Sequence, residues 1–495
     1  MNEKEIAREA REAHVEREYW ESLSKEVPKA KQRKLPSLVE QYVNSASEVS
    51  YYNEIPAALS YFVLLGQICK DMAAIPHGRR TDDTRIQLIW MQTSGTGKSE
   101  LYNFFGPVSN YVFEVLNANH GTNFDIMDVE DTTDAGLIGT ITEERETLTD
   151  DEGNATVVDV PVQVYGALEG SGLVAYDEFE YSGVFKSSQH KENVVMYMNK
   201  FMNSLHGNNH LIKKKLAKGH VLVCDCQRSI FATTYIPTNM TRVIAETGLM
   251  QRSVLFIREI PIELQNELRA KVADSYGTVA DSAQPINQFG DAIVKVYECL
   301  KEHFEESGKD RTKTMRFAPN FRDSIKAETK KFENYVQSSR PSVLSLANNF
   351  ITRMQGSMAR MAVLCAITEA PTIRTKKNRY YVTDKHVQQS SRLIRACYKS
   401  LISWLDTSLR QERISGQDKL GIKIFRAEYD NLKPVADSEG RVNKQQLLEN
   451  VRKSTGKGQA TIYRNYKELA KTGVFNEAKK GRSVYTKIVE KEVKE

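Results

Sequence analysis

The 495 residues are enough for two to four domains, and 40% hydrophobic with 27% charged residues is ordinary for a water-soluble globular chain, which excludes a minimal module. The formal net charge is only +5, but from Arg441 onward 14 Lys/Arg stand against 6 Asp/Glu, so the basic character gathers at one end, where nucleic acid or another polyanion can be met. Six scattered cysteines, whose only close pair is the CxC of Cys224 and Cys226, argue against a structural zinc site and for buried reduced thiols.

The N-terminus, MNEKEIAREAREAHVERE, is charged and helix-forming, without a signal-peptide run. No stretch of the chain is apolar for long enough to span a membrane, so the expectation is a cytoplasmic protein or its equivalent with no membrane contact. Residues 1 to about 35 read as an exposed helix or a partly disordered arm. From 35 to 75 apolar positions recur at helical spacing (LPSLVEQYV, then PAALSYFVLLGQICKDMAAI), predicting two helices that pack as a collar on the segment after them. HGRR (77–80) reads as a turn, and RIQLIWMQ (85–92) as a short strand opening into SGTGKS (94–99) and then a helix.

Strand, glycine-bearing loop, Gly-Lys-Ser and helix form the context of a phosphate-binding loop. Gly95 and Gly97 let backbone N–H groups close around the phosphates of ATP, with Ser94 and Thr96 completing the run; Lys98 reaches the β and γ oxygens, and Ser99 ligates Mg²⁺. Gln92 stands where GxxxxGK[ST] has its first glycine. A neighbouring buried strand should supply carboxylates at its end, and SGLVAYDEFEYSG has them. Asp177 would hold the metal through its water shell and Glu178 would polarise the hydrolytic water; a strand ending in a solvated acidic pair is the plainer alternative. Between the two, residues 125–159 hold twelve Asp/Glu and one Arg, an insertion expected on the outside or at a subunit contact.

At the C-terminal end, residues 442–488 predict a helix, a turn around Gly456 and Gly458, a second helix and a two-strand wing turning at residues 479–481. This is a winged-helix pattern, with Arg464, Lys467, Lys479, Lys480 and Arg482 set for DNA phosphates; winged helices also make protein contacts.

The order of segments resembles the ATPase core of minichromosome maintenance (MCM) helicases and their viral and plasmid relatives, members of the AAA+ class. QTSGTGKS (92–99), TTDAGLIGTI (132–141), GALEGSGLVAYDEFE (166–180), SIFATTYIP (229–237) and GLMQRSVLF (248–256) keep the family's order, over roughly residues 85 to 405. The resemblance implies an α/β core, a parallel sheet flanked by helices, with a helical lid that includes YVTDKHVQQSSRLIRACYKSLISWL (381–405). The expected divisions are a helical region at 1–80, the ATPase core at 81–265, lid and linker at 266–410 and the winged helix at 411–495. MCM proteins carry a larger N-terminal region than the short helical one here, and a shortened plan suits a virus- or plasmid-borne relative.

The same resemblance implies a homo-hexameric ring that uses ATP and Mg²⁺ on single-stranded and duplex DNA, with a primase or polymerase as a further partner, at a nucleoid or at a viral or plasmid replication site. It assigns an arginine finger, supplied by the neighbouring subunit, to Arg252, where a surface ion pair is the alternative. It assigns the second sensor to Arg353 in ITRMQGSMARMAVLCAI (351–367), otherwise an exposed helix charge, and the first sensor to Thr234 or Tyr235. HLIKKKLAKGHVLVCDCQ (210–227) becomes a channel hairpin whose Lys213, Lys214, Lys215 and Lys218 hold DNA phosphates, where a solvated loop is the alternative. Two functions fit these features: an ATP-driven replicative helicase, or an ATP-switched replication initiator or transcription regulator without processive unwinding. The GAFTGA loop of bacterial enhancer-binding activators is absent from the sequence, which favours the helicase.

Overall fold

A computed structural model describes residues 35–129, 133–149, 155–179, 192–205, 208–215, 220–236, 248, 250–275, 283–337, 341–417, 422–455, 459–471, 475–480 and 483–488. These fall into two compact units, Met1–Leu405 and Asp406–Glu495. The predicted N-terminal arm up to residue 34, Lys218, Arg482 and the glycines of the two C-terminal turns lie outside the described residues.

The first unit runs α1 (Ser37–Val49), α2 (Glu54–Ile68), β1 (Ile75–His77), β2 (Arg80–Asp82), β3 (Leu88–Gln92), α3 (Lys98–His120), β4 (Phe124–Asp128), α4 (Asp134–Ile138), β5 (Thr140–Thr149), β6 (Ala155–Val164) and β7 (Ser171–Tyr176). It continues with α5 (Glu192–Phe201), β8 (Leu211–Lys215), β9 (Val221–Asp225), β10 (Ser229–Thr234), a 3₁₀ turn (Met250–Arg252), β11 (Val254–Arg258), α6 (Ile262–Ser275) and α7 (Ala283–Glu306). Then come β12 (Arg316–Phe317), α8 (Phe321–Gln337), α9 (Pro341–Glu369), β13 (Tyr381–Val382) and α10 (Asp384–Gln417).

Five strands form one parallel sheet in the order β11-β3-β10-β7-β4. LIWMQ, SGLVAY, SIFATT and VLFIR are buried at every position. Such unbroken apolar runs are what a parallel sheet covered on both faces requires. At the edge, β4 is buried only at Phe124. The α/β core with helices flanking a parallel sheet is therefore present as expected. The helix α2 is buried at every residue from Pro56 to Ile68 and packs on β3, β7 and β10, so it is an internal element rather than a surface one. Above it α1 buries a narrow stripe of Val39, Tyr42 and Ala46, with the Tyr42 ring 5.6 Å from Tyr61, 5.2 Å from Phe104 and 5.6 Å from Phe289.

The acidic stretch is not a single insertion. Its first part is the edge strand β4, where Asp125 pairs with Arg228 and Asp128 accepts from the Tyr102 hydroxyl. Only from Thr140 does it become a two-stranded antiparallel ribbon, β5–β6, whose Gln163 donates to the Val223 carbonyl at 2.8 Å. A count of acids along the stretch could not reveal that the same residues divide between a sheet edge and a hairpin.

At the N-terminal end of β3 a buried ion network fastens three segments. Asp83 accepts from Arg85 Nε at 3.0 Å and from the Leu205 N–H at 2.6 Å; Arg85 donates to the carbonyls of Arg228 and Asn203, and Arg360 of α9 to that of Asp83. Burial alone would raise the Asp83 carboxyl, but Arg85 and Arg360 overcome this and hold it far below the usual carboxylate range.

The second unit contains α11 (Ile422–Leu432), β14 (Val442–Asn443), α12 (Lys444–Thr455), α13 (Gln459–Lys471), β15 (Phe475–Lys480) and β16 (Ser483–Ile488), with the strands in the antiparallel order β14-β16-β15. Phe425, Leu447, Val451, Ile462, Tyr466 and Phe475 form its core. The two helices and the hairpin expected here are all present.

Asp83→Asn should cost about 3–5 kcal/mol of stability at pH 7, because it leaves the buried Arg85 and the half-buried Arg360 short of their counter-charge. The depressed carboxyl contributes above its unfolded value of about 3.9 and loses that contribution as pH falls below it, so the variant should also be less acid-sensitive than wild type. Urea unfolding at pH 7 and at about pH 2.5, inside the window where the contribution is lost, checks both; a cost under about 1 kcal/mol at pH 7 would show the network to be dispensable.

Candidate active site

The loop between β3 and α3 turns on Gly95 (φ +69) and Gly97 (φ +84), left-handed conformations that glycine adopts without strain. It delivers the chain to the start of a 23-residue helix, whose first N–H groups lack intrahelical partners. Ser94 and Gly95 are exposed at the loop tip. The Thr96 side chain instead turns inward and donates to the Thr93 carbonyl at 2.6 Å, so only its backbone is left for a ligand. Lys98 Nζ donates to the carbonyls of Gln92 (2.9 Å) and Thr93 (3.0 Å). Its ammonium is pulled below the usual lysine range by burial, against the opposing pull of Asp177 and Glu178, so the three charges share one field.

Asp177 and Glu178 come directly after the last residue of β7 and are exposed at the same edge of the sheet. Ser99 Oγ lies 3.3 Å from each carboxylate oxygen of Asp177. A hydroxyl and a carboxylate converging in this way are hard oxygen donors of the kind Mg²⁺ takes, and the two residues together can hold it. The acid strand was expected beside the loop strand; β10 lies between them. The end of β10 therefore reaches the site, and Thr233 Oγ1 donates to the carbonyl oxygen of Asp177 at 2.5 Å and to its Oδ1 at 3.1 Å. Thr234, the last residue of that strand, is buried and turned to the other face.

Arg252 lies elsewhere. It precedes β11, whose far end, Arg258, is paired with Gln92, so Arg252 stands at the opposite edge of the sheet, about 16 Å away along a five-residue strand. Its guanidinium is held by Asn203 Oδ1 (3.2 Å), Asn199 Oδ1 (3.1 Å) and the Gly248 carbonyl (2.7 Å). Burial, and then the like charge of Arg353, lower its pKa. Arg353 is exposed on α9, so the two expected arginines are brought together but away from Lys98.

The residues 210–227 do form a hairpin, β8–β9. Alternation along β8 separates its lysines: Lys213 and Lys215 are exposed on one face, while Lys214 sits 3.4 Å from Asp134. In the C-terminal unit, Tyr463 is 44% exposed on α13 and Lys467 Nζ lies 5.1 Å from its ring centroid. The side chains of Arg464, Lys479 and Lys480 lie outside the described residues.

Among the described residues no group of three or more His, Cys, Asp or Glu side chains gathers as a metal site, and no helix is long and apolar enough to cross a membrane. No protein-family model matches the chain, and no curated protein is significantly similar to it.

Several contacts were not legible in the sequence. Thr233 lies one residue before the two positions, Thr234 and Tyr235, that the resemblance offered for the first sensor, and Asn199 and Asn203 lie far from Arg252 in sequence. Ser50 and Asn53, which touch the loop, carry no motif.

If Ser99 and Asp177 share a cation, Ser99→Ala and Asp177→Asn should each raise the Mg²⁺ concentration needed for half-maximal ATP hydrolysis by about tenfold, the cost of roughly one charged hydrogen bond. A magnesium titration of both variants that overlays wild type would separate them from the metal.

Proposed function

We propose that the chain is an ATPase of the AAA+ class, akin in plan to MCM helicases, that drives strand movement on DNA as a ring of identical subunits. The observation that carries this reading is the convergence of Lys98, Ser99, Asp177 and Thr233 at one edge of a parallel sheet, where loop, metal-binding and water-activating groups of a phosphoryl-transfer site belong. In the proposed mechanism Gly95, Gly97 and the start of α3 bind the phosphates. Lys98 leaves its carbonyl partners for the β and γ oxygens, and Asp177, oriented by Thr233, holds the water shell of Mg²⁺. Glu178 takes the proton of the attacking water. The ATP-bound cation supplies charge stabilisation at the transferring phosphoryl group.

Arg252 and Arg353 support a shared site, since their distance from Lys98 in one chain suits service to the next subunit. Lys213 and Lys215 on the exposed face of the β8–β9 hairpin, with Lys467 and Tyr463 on α13 of a winged-helix-like unit, support DNA as the polymer: point charges for phosphates and an exposed ring for stacking.

The test is strand displacement from a forked duplex, with ATP against a non-hydrolysable analogue. Release that requires hydrolysis is expected, and Arg252→Ala subunits mixed with Lys98→Ala subunits should recover part of the ATPase activity that each lacks alone. DNA-stimulated hydrolysis without strand release would favour the ATP-switched initiator or regulator.

A further inference from the structure

Gln92 stands where such loops carry their first glycine, and its side chain is fully buried beneath the loop. Its Oε1 accepts from Trp90 Nε1 at 3.0 Å, and its Nε2 donates to Asn53 Oδ1 and to Thr96 Oγ1, each at 2.9 Å. Asn53 extends the contact: its Nδ2 donates to the Thr96 carbonyl and to Ser50 Oγ, again at 2.9 Å. Ser50 Oγ in turn donates to the Gly97 carbonyl at 2.5 Å.

Two features set this network apart from ordinary packing. Asn53 occupies the N-cap position of α2, where asparagine is favoured because its side chain caps the first turn. It makes no such bond; its amide is turned to the loop instead. The junction between α1 and α2 is also held in an uncommon shape, with Tyr52 at φ +61 and its carbonyl accepting from Arg258 Nη1 at 2.8 Å.

Peptide planarity converts these contacts into a statement about the loop. In a trans peptide the C=O and the next N–H point in opposite directions. With the Thr96 and Gly97 carbonyls fixed on Asn53 and Ser50, the N–H groups of Gly97 and Lys98 are aimed away from the junction, to the side from which an anion approaches the start of α3. We infer that Ser50, Asn53 and Gln92 form a brace that sets the phosphate loop in its triphosphate-receiving shape before nucleotide arrives. They are positioning residues, acting through backbone groups they do not themselves contribute. Gln92 is then no defect of the motif: its amide occupies the space beneath the loop that glycine would leave open, and links strand, loop and N-terminal helices. The inference rests on the reading of this loop as an ATP site.

The experiment uses the full chain. Binding of a fluorescent ATP analogue with Mg²⁺, and steady-state ATP hydrolysis, are measured for wild type, Ser50→Ala, Ser50→Thr, Asn53→Ala and Gln92→Gly. Ser50→Ala and Asn53→Ala should each raise KM by about tenfold, the size of one buried hydrogen bond, with kcat nearly unchanged. Ser50→Thr keeps the hydroxyl and should restore KM, and Gln92→Gly should weaken binding although it restores the usual motif. If Asn53→Ala fails to unfold cooperatively, Ser50→Ala, which removes a single hydroxyl, decides. Wild type that binds the analogue while Ser50→Ala and Gln92→Gly bind it equally well overturns the brace alone; wild type that binds no analogue overturns the nucleotide site beneath it.

Discussion

A parallel sheet buried on both faces compels all its strands to finish at the same edge, and that constraint organises the first unit. Because β3, β10 and β7 are neighbours in that order, the loop after the first, Thr233 near the end of the second and the carboxylates just past the third arrive together. No single contact among them is strong. Ser99 and Asp177 meet at 3.3 Å, and Lys98 is satisfied by the carbonyls of Gln92 and Thr93. What fixes the arrangement is the depth of the supporting core, in which Trp90, Tyr176 and Phe231 are fully buried and α2 seals one face. A group that must exchange partners when a ligand binds is better held by two modest hydrogen bonds than by a buried ion pair, whose rupture costs several kcal/mol.

The opposite edge carries a different chemistry. Arg252, the β8–β9 hairpin and the β5–β6 ribbon all attach where strands begin, a strand length of about 16–20 Å from the loop. Asn199 and Asn203 hold Arg252 from the segment C-terminal to the acid pair, and the Arg85 guanidinium donates to the Asn203 carbonyl from the buried ion network. Under the proposed ring assembly, one edge would bind nucleotide and the other would act on the neighbouring subunit.

The parts of this arrangement that were legible in the sequence are those governed by local rules. Short apolar runs announced β3 and β7, with the Gly-Lys-Ser loop and the Asp177–Glu178 pair at their ends, while the segment of β10 was picked out only by the family resemblance. The helical spacing of the N-terminal segment announced α1 and α2. Order across the sheet was not legible, since nothing in a strand names its lateral partner; hence β10 between loop and acids, and Thr233 on Asp177, emerge only in three dimensions. Asp125 illustrates the same limit, an acid in an acidic stretch that proves to belong to a sheet edge and to Arg228. Asn53 illustrates another, because a helix-capping residue looks the same in sequence whether it caps the helix or reaches a loop 43 residues away.

If the edge formed by Lys98, Asp177 and Glu178 binds and hydrolyses ATP, side-by-side measurement of ATP binding and turnover in wild type, Lys98→Ala and Glu178→Gln will separate the roles. Lys98→Ala should lose binding, and Glu178→Gln should keep it while turnover falls by about 10²–10⁴-fold, the range of a lost general base. Turnover that survives in both variants would rule this edge out as the hydrolytic site.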